Sequence, residues 1–316
     1  MPFISSVRGS FGAQSRLRRN TNSEMLSRIT GGSITTAGGY RIHTYTSGTS
    51  SFNTTQWGSL SAEILVVGGG GSGGTIGGGG GAGGYVSGNI DLSASDYSIT
   101  VGSGAPSVGP VGHGPRGNSG SPSTAFGWTA IGGGSGGGWG DGPGGAGGSG
   151  GGGTSPDGGA PGSSTQSTQV NTGNSINAGH PGISGGNASS GPGTGTHTGG
   201  GGGGAGSAGF GRQGGNGLIS TITGSSVGYA GGGGGGSHSG GFTSSYTTTL
   251  APGSQSLYGA GYGGSIDNSS IGQSLPTGQP AQRANSGSGG GGAYYTNSPE
   301  LTGAGAAGIV VVRYIP

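Results

Sequence analysis

The sequence predicts an all-β fold, namely a jelly-roll-like β-sandwich that carries a bundle of polyglycine-II helices, with essentially no α-helix. Glycine supplies 94 of the 316 residues and is concentrated in long tracts. Short β-prone segments precede several of these tracts, and no stretch shows the apolar period of an amphipathic helix. Collagen is excluded because it requires glycine at every third residue and abundant proline, whereas this chain has runs of glycine and only 15 prolines.

The glycine tracts predict the unusual half of the fold. A polyproline-II-like strand has three residues per turn and no internal hydrogen bonds, so a single one is unstable when buried. Several such strands side by side can exchange N–H···O=C bonds, and only glycine lets backbones approach closely on every side. The tracts cover residues 68–84, 132–153, 199–217, 231–241 and 287–292.

The strand predictions rest on alternation and β-propensity. In residues 40–46, Tyr40, Ile42 and Thr44 share one face, and Arg41, His43 and Tyr45 share the other. The apolar run at 62–67 indicates a strand covered on both faces, and we expect its residues 64–67 to lie beside 309–312 in one sheet. The remaining predicted strands are 33–36, 51–55 (a plausible partner of 40–46), 85–92, 97–101, 124–131, 218–223 and 308–314, with a turn at 93–96.

Charge divides the chain into two predicted regions. Residues 1–30 carry five arginines against Glu24, so this segment has a charge of about +4 within a net charge of +2. We interpret 1–30 as an N-terminal attachment arm and 31–316 as one domain with exposed loops at 154–198; an organellar transit peptide or a nucleic-acid-binding tail are the alternatives for the arm. The predicted docking residues are Phe3, Ile4, Arg8, Phe11, Arg16, Arg18 and Arg19.

Several classes of function find no support in the sequence. Without cysteine there are no disulfides or thiolate metal sites, and without lysine there is no phosphate-binding P-loop. The five histidines lie far from one another and from acids, His43 fits a satisfied strand residue, and the acids are scattered. We therefore expect no enzyme activity, no catalytic residue, no cofactor and no metal, and the lack of an 18-residue apolar run predicts no membrane insertion.

Aromatic residues in Gly/Ser-rich loops provide the candidate contact residues. A ring on a small-residue loop offers a large contact area at low entropic cost, as in many recognition surfaces. The alternative is that the rings fill gaps between glycine helices, and the sequence favours neither. The candidates for receptor contact are Trp139, Phe242, Tyr246, Tyr294 and Tyr295.

The order of motifs resembles a known family. Y-R-I-H-T-Y-T at 40–46, A-E-I-L-V-V-G at 62–68 opening a glycine run, G-G-Y at 83–85, Y-S-I-T-V-G at 97–102 and G-I-V-V-V-R-Y at 308–314 appear in succession. This series resembles the glycine-rich domain of phage tail-fibre and virion proteins, and residues 1–15 look like the N-termini of such proteins in marine cyanophages. The resemblance implies a structural virion component, often a fibre tip or host-recognition element, and brings no catalytic residues.

These observations lead to the expectation of a phage virion structural protein on the particle exterior, acting as a tail fibre or fibre-tip adhesin. The expected partners are other virion proteins, two further copies in a homotrimer, and a host surface glycan or outer-membrane protein, with no nucleic acid. A capsid decoration or fibre protein, or a self-assembling extracellular filament subunit without a receptor role, is the main alternative. A polysaccharide depolymerase is a third, from a different class.

Overall fold

The computed structural model describes residues 28–109, 114–154, 159–167, 178–180, 196–239, 258–261, 263, 277–293 and 301–316. This part of the chain forms strands and contains no α-helical element, so it holds no helix that could cross a membrane. The strands are β1 (Ser33–Ala37), β2 (Tyr40–Tyr45), β3 (Gly48–Asn53), β4 (Leu60–Val67), β5 (Tyr85–Leu92), β6 (Asp96–Val101), β7 (Ser123–Ala125), β8 (Trp128–Ala130), β9 (Ala178–His180), β10 (Thr196–Thr198), β11 (Leu218–Ser220), β12 (Val227–Tyr229), β13 (Ser237–Ser239) and β14 (Ile309–Tyr314).

Two antiparallel sheets form the sandwich. One has six strands in the order β1-β2-β14-β4-β5-β9, and the other has four in the order β3-β6-β7-β8. Side chains from both sheets share one buried cluster, which includes Phe52 and Ile99 from the four-stranded sheet and Ile64 and Val312 from the six-stranded one. The predicted all-β fold is confirmed, and its sandwich arrangement follows from this shared core.

Strands β4 and β14 lie at the centre of the larger sheet, as the sequence predicts. Val66 pairs with Val310, and Ile64 pairs with Val312, so the two valine-rich segments are neighbours. Their other faces pack into a second buried cluster with Ile222 and the hairpin β11–β12. Burial on both faces explains why these segments read as unbroken apolar runs.

The glycine tract after β4 forms two segments, and every third residue of the first segment donates to the same neighbouring segment. Residues 68–74 run away from the sheet, and residues 78–84 return beside them. No glycine in 68–84 has a positive φ, and the turn between the segments is made by Ile76 at φ 47°. The backbone N–H groups of residues 68–75 donate to three neighbouring segments in turn. Gly68, Gly71 and Gly74 donate to Gly84, Gly81 and Gly78; Gly69, Ser72 and Thr75 donate to Ser121, Asn118 and Pro115; Gly70 and Gly73 donate to Ala306 and Gly303.

This period of three is the signature of polyglycine-II packing, because three residues complete one turn of that helix. Segments 68–74 and 78–84 are hydrogen-bonded to each other, and each is also hydrogen-bonded to five further segments. Eight segments close a ring around this central pair, and consecutive members of the ring are bonded to one another. The ring segments, in order, are 103–105, 115–121, 131–139, 149–153, 199–205, 230–236, 287–293 and 303–306.

Two strand predictions are corrected. The stretch 124–131 is not one strand but the hairpin β7–β8, because Phe126 and Gly127 adopt positive φ values of 55° and 79° and reverse the chain. The stretch 51–55 does not pair with 40–46. Its strand β3 belongs to the opposite sheet and pairs with β6, so its apolar Phe52 enters the core from the other side.

Candidate functional site

The molecule has two ends, defined by the direction in which β4 enters the glycine bundle. At the sandwich end lie Asn53, Leu60 and the Phe126–Gly127 turn. At the bundle end lie the Thr75–Ile76 turn and the segments bonded to it: Thr75 donates to Pro115, and Trp139 donates to the carbonyl of Thr75.

The chain leaves and rejoins the described body repeatedly at the bundle end. Ala293 donates to Gly74, Gly236 donates to Gly77, and Thr154 donates to Gly159, all at the level of the Thr75–Ile76 turn. Segments 110–113, 155–158, 264–276 and 294–300, which lie outside the described residues, are all flanked by residues at this end. The described residues that flank these four segments therefore lie at one end of the bundle, opposite the sandwich.

Trp139 is the predicted contact residue that the structure describes. It is half-buried in a turn closed by a bridge between Gly138 and Gly142, with Gly140 at φ 81°. Asp141 in the same turn accepts a hydrogen bond from the backbone N–H of Arg116 at 3.1 Å. The ring is thus held on a structured turn at the bundle end.

The other four candidate contact residues, Phe242, Tyr246, Tyr294 and Tyr295, lie outside the described residues. Tyr294 directly follows Ala293, which is at the bundle end, and Phe242 and Tyr246 come after β13, which begins next to Gly236 at the same end. The loops predicted at 154–198 fall largely outside the described residues as well. Their role in contact stays a prediction.

A second turn at this end carries residues that were not among the candidates. Phe210 and Gln213 exchange two backbone hydrogen bonds of 3.0 and 2.9 Å around Gly211, and the Phe210 side chain is 85% exposed. Beside it, Nε and Nη2 of Arg212 are buried and have no hydrogen-bond partner. The sequence could have indicated Phe210, because it is an aromatic residue in a glycine-rich segment. It could not have indicated that Arg212 lacks a partner, because pairing depends on the fold.

The titratable groups of the sandwich have structural partners. Nδ1 of buried His43 lies 2.7 Å from the carbonyl oxygen of Gly31, and its Nε2 lies 3.0 Å from the Tyr314 hydroxyl. Burial lowers the pKa of His43 to about 4. Glu63 accepts from Nε of Arg313 at 3.0 Å. His43 is thus a satisfied strand residue, as predicted, and the described residues contain no cluster of three His, Asp or Glu that could hold a metal.

The predicted docking residues, Phe3, Ile4, Arg8, Phe11, Arg16, Arg18 and Arg19, also lie outside the described residues. The first described residues show where that segment joins the body. Ile29 is fully buried in the sandwich core, Thr30 pairs with Asn53, and Arg28 contacts the carbonyl of Gln56 at 3.5 Å. The chain therefore enters the body at the sandwich end, near the partly buried Trp57, Tyr97 and Phe126.

Comparison with known proteins finds one family. A profile described as a glycine-rich domain matches residues 44–315, which covers most of the chain from β2 through β14. No curated protein matches the chain.

Proposed function

This chain belongs to the glycine-rich domain family, and we propose that it is a structural protein of a phage virion, acting as a tail fibre or fibre tip that contacts the host surface. The motif series that resembles phage tail-fibre and virion proteins supplies the phage assignment. In this proposal residues 1–27 dock the protein to other virion proteins, and the bundle end faces the host. Three copies assemble around an axis on the particle exterior.

The observation that carries the proposal is the separation of the two ends. The chain enters the body at the sandwich end through Arg28, whereas Trp139, Phe210 and the described residues that flank segments 110–113, 155–158, 264–276 and 294–300 lie at the bundle end. An attachment protein needs this polarity, since one end must hold the particle while the other reaches the receptor.

The bundle suits a surface whose loops change while its scaffold stays constant. Its backbone groups are satisfied between segments, so the lattice depends on glycine and not on the sequence of the excursions. Loops placed on such a scaffold can vary in sequence without altering the core.

The test removes residues 1–27 and keeps Ile29 and Thr30, which belong to the packed body. We expect the truncated protein to keep its thermal unfolding midpoint but to be absent from purified particles, as measured by quantitative mass spectrometry. A matched control replaces 1–27 with a Gly/Ser segment of equal length, which should also be excluded. Normal incorporation of the truncated protein would contradict the docking role.

Adsorption separates the fibre from a capsid decoration. Particles assembled without the protein should fail to adsorb if it is a host-contacting fibre, and adsorption should return when the full chain is supplied. Normal adsorption by particles that lack the protein would favour a capsid decoration protein. Filaments formed by the isolated protein would favour a self-assembling filament subunit. Mass photometry of the purified chain tests the trimer.

A further inference from the structure

The turn at residues 210–213 combines a rigid backbone with an exposed ring. Besides the two bonds between Phe210 and Gln213, the carbonyl of Gly211 accepts from Gly201, and that of Arg212 accepts from Gly235, both at 2.8 Å. Gly201 and Gly235 belong to two different ring segments of the bundle. The turn is therefore fixed to the bundle end at two points, and it holds the Phe210 ring out into solvent.

Arg212 in this turn has a guanidinium group with two nitrogen atoms that lack a hydrogen-bond partner. Its unpartnered atoms, Nε and Nη2, form one edge of the guanidinium, and both are buried. Burial lowers the pKa of Arg212, and no charge among the described residues contributes to the shift. A buried cation without a counter-charge is costly, so the free energy of this site favours an anion.

The described acids do not supply that anion. Glu63 binds Arg313, Asp91 accepts from Ser61, and Asp141 accepts from the backbone of Arg116. Asp96 lies at the sandwich end, opposite to Arg212. Within the part of the chain that the structure describes, the Nε–Nη2 edge is left for a group from outside.

We infer that Arg212 and Phe210 form a binding site for a sugar that carries a carboxylate, such as a uronic acid in an acidic glycan. The Nε–Nη2 edge matches the two oxygens of one carboxylate, which is the bidentate geometry that arginine favours. The Phe210 ring provides a flat apolar face against which a sugar ring can pack. Arg212 is only partly buried as a residue, and the inference requires a rotamer change that brings its buried edge to the ligand. The inference rests on the proposed host-contacting role of this end and names its ligand class.

The test measures binding of the full-length protein to oligogalacturonate by isothermal titration calorimetry. Its methyl ester, in which the carboxylates are capped, is the matched ligand, and neutral malto-oligosaccharide is a second control. We expect binding to the acid alone. Arg212→Gln should weaken it about 10- to 100-fold, since hydrogen bonds between charged groups have this value. Arg212→Lys should also weaken it, because lysine lacks the planar fork.

Two further variants test whether the position of the charge matters and whether the Phe210 ring contributes to binding. Arg28→Gln removes the same charge at the opposite end and should leave the affinity unchanged, while Phe210→Ala should weaken binding. A second readout needs no ligand: Arg212→Gln should raise the thermal midpoint of the free protein, because it removes an unpaired buried charge.

Several outcomes would overturn the inference. They are equal binding of the acid and its ester, unchanged affinity of Arg212→Gln, no binding by the wild type, or a lower midpoint for Arg212→Gln, which would reveal a counter-charge within the chain. A changed oligomeric state in Arg212→Gln would assign the edge to a subunit contact instead. If binding fails while adsorption still depends on the protein, the site is wrong and the proposed function stands.

Discussion

At the scale of single residues, His43 shows how a buried polar side chain can be held neutral. Because a carbonyl only accepts, the 2.7 Å contact with Gly31 requires the proton on Nδ1, and Nε2 then accepts from Tyr314. A second proton would have to sit on Nε2, which faces the Arg41 guanidinium at 3.4 Å. Burial is the largest cause of the lowered pKa, and the charge of Arg41 adds to it.

This environment predicts a loss of stability in acid. The pKa of His43 falls from 6.5 in the unfolded chain to about 4 in the folded protein, so the unfolded state takes up a proton first as the pH drops. The free energy of unfolding should fall between pH 6.5 and pH 4 by about 3 kcal/mol, at 1.36 kcal/mol per unit. Urea unfolding at a series of pH values measures the slope.

The matched variant is His43→Gln, which keeps polar atoms at the site but cannot titrate. It should be less stable than the wild type at pH 7, and its unfolding free energy should change less between pH 6.5 and pH 4. An identical pH slope in the two proteins would assign the acid sensitivity to other groups.

At the scale of elements, the central segments depend on glycine for space and not for flexibility. A Cβ on Gly80 would overlap the backbone carbonyl of Gly71, although Gly80 has an ordinary φ. Its N–H donates to Gly290 at 2.8 Å and its carbonyl accepts from Gly233 at 2.9 Å, so the segment cannot shift without breaking bonds to other neighbours.

We therefore expect Gly80→Ala to lower the free energy of unfolding by about 3 kcal/mol, at the upper end of the usual cost of overpacking. Gly109→Ala is the control, because its Cβ would meet only the side chain of Leu301 at 3.3 Å and its φ is not positive. Thermal and urea unfolding midpoints compare the two variants. Equal losses of stability in the two variants would mean that the packing of the glycine bundle does not exclude a Cβ atom at residue 80.

At the scale of the whole molecule, the closed ring of segments predicts cooperative protection from exchange. Residues 68–84 are enclosed by eight other segments, so their amides should exchange only when the bundle opens as a whole. Hydrogen–deuterium exchange should place these amides among the slowest in the protein, although glycine-rich sequence is usually read as flexible. The exposed edge strand β1 (Ser33–Ala37) should exchange faster. Fast exchange in 68–84 would contradict the cooperative bundle.

The strands and segments of the structure differ in how far the sequence could predict them. Alternation in residues 40–46 and the valine runs were sufficient for β2, β4 and β14, because side chains determine which face is buried. The hairpin β7–β8 was not predicted, because its turn contains Phe126 at φ 55° and a bulky residue is not a usual turn signal. The pairing of glycine segments was not predictable, since glycine has no side chain to specify a neighbour, and neither was the unpaired edge of Arg212.

The direction of the glycine segments has a mechanical consequence. They run along the line that joins the two ends, and their hydrogen bonds lie across that line. A pull between the entry at Arg28 and the bundle end would load these bonds in shear, so many must break together and not one after another. A bundle built largely of glycine, which has no side chain, would in this way resist tension along its length.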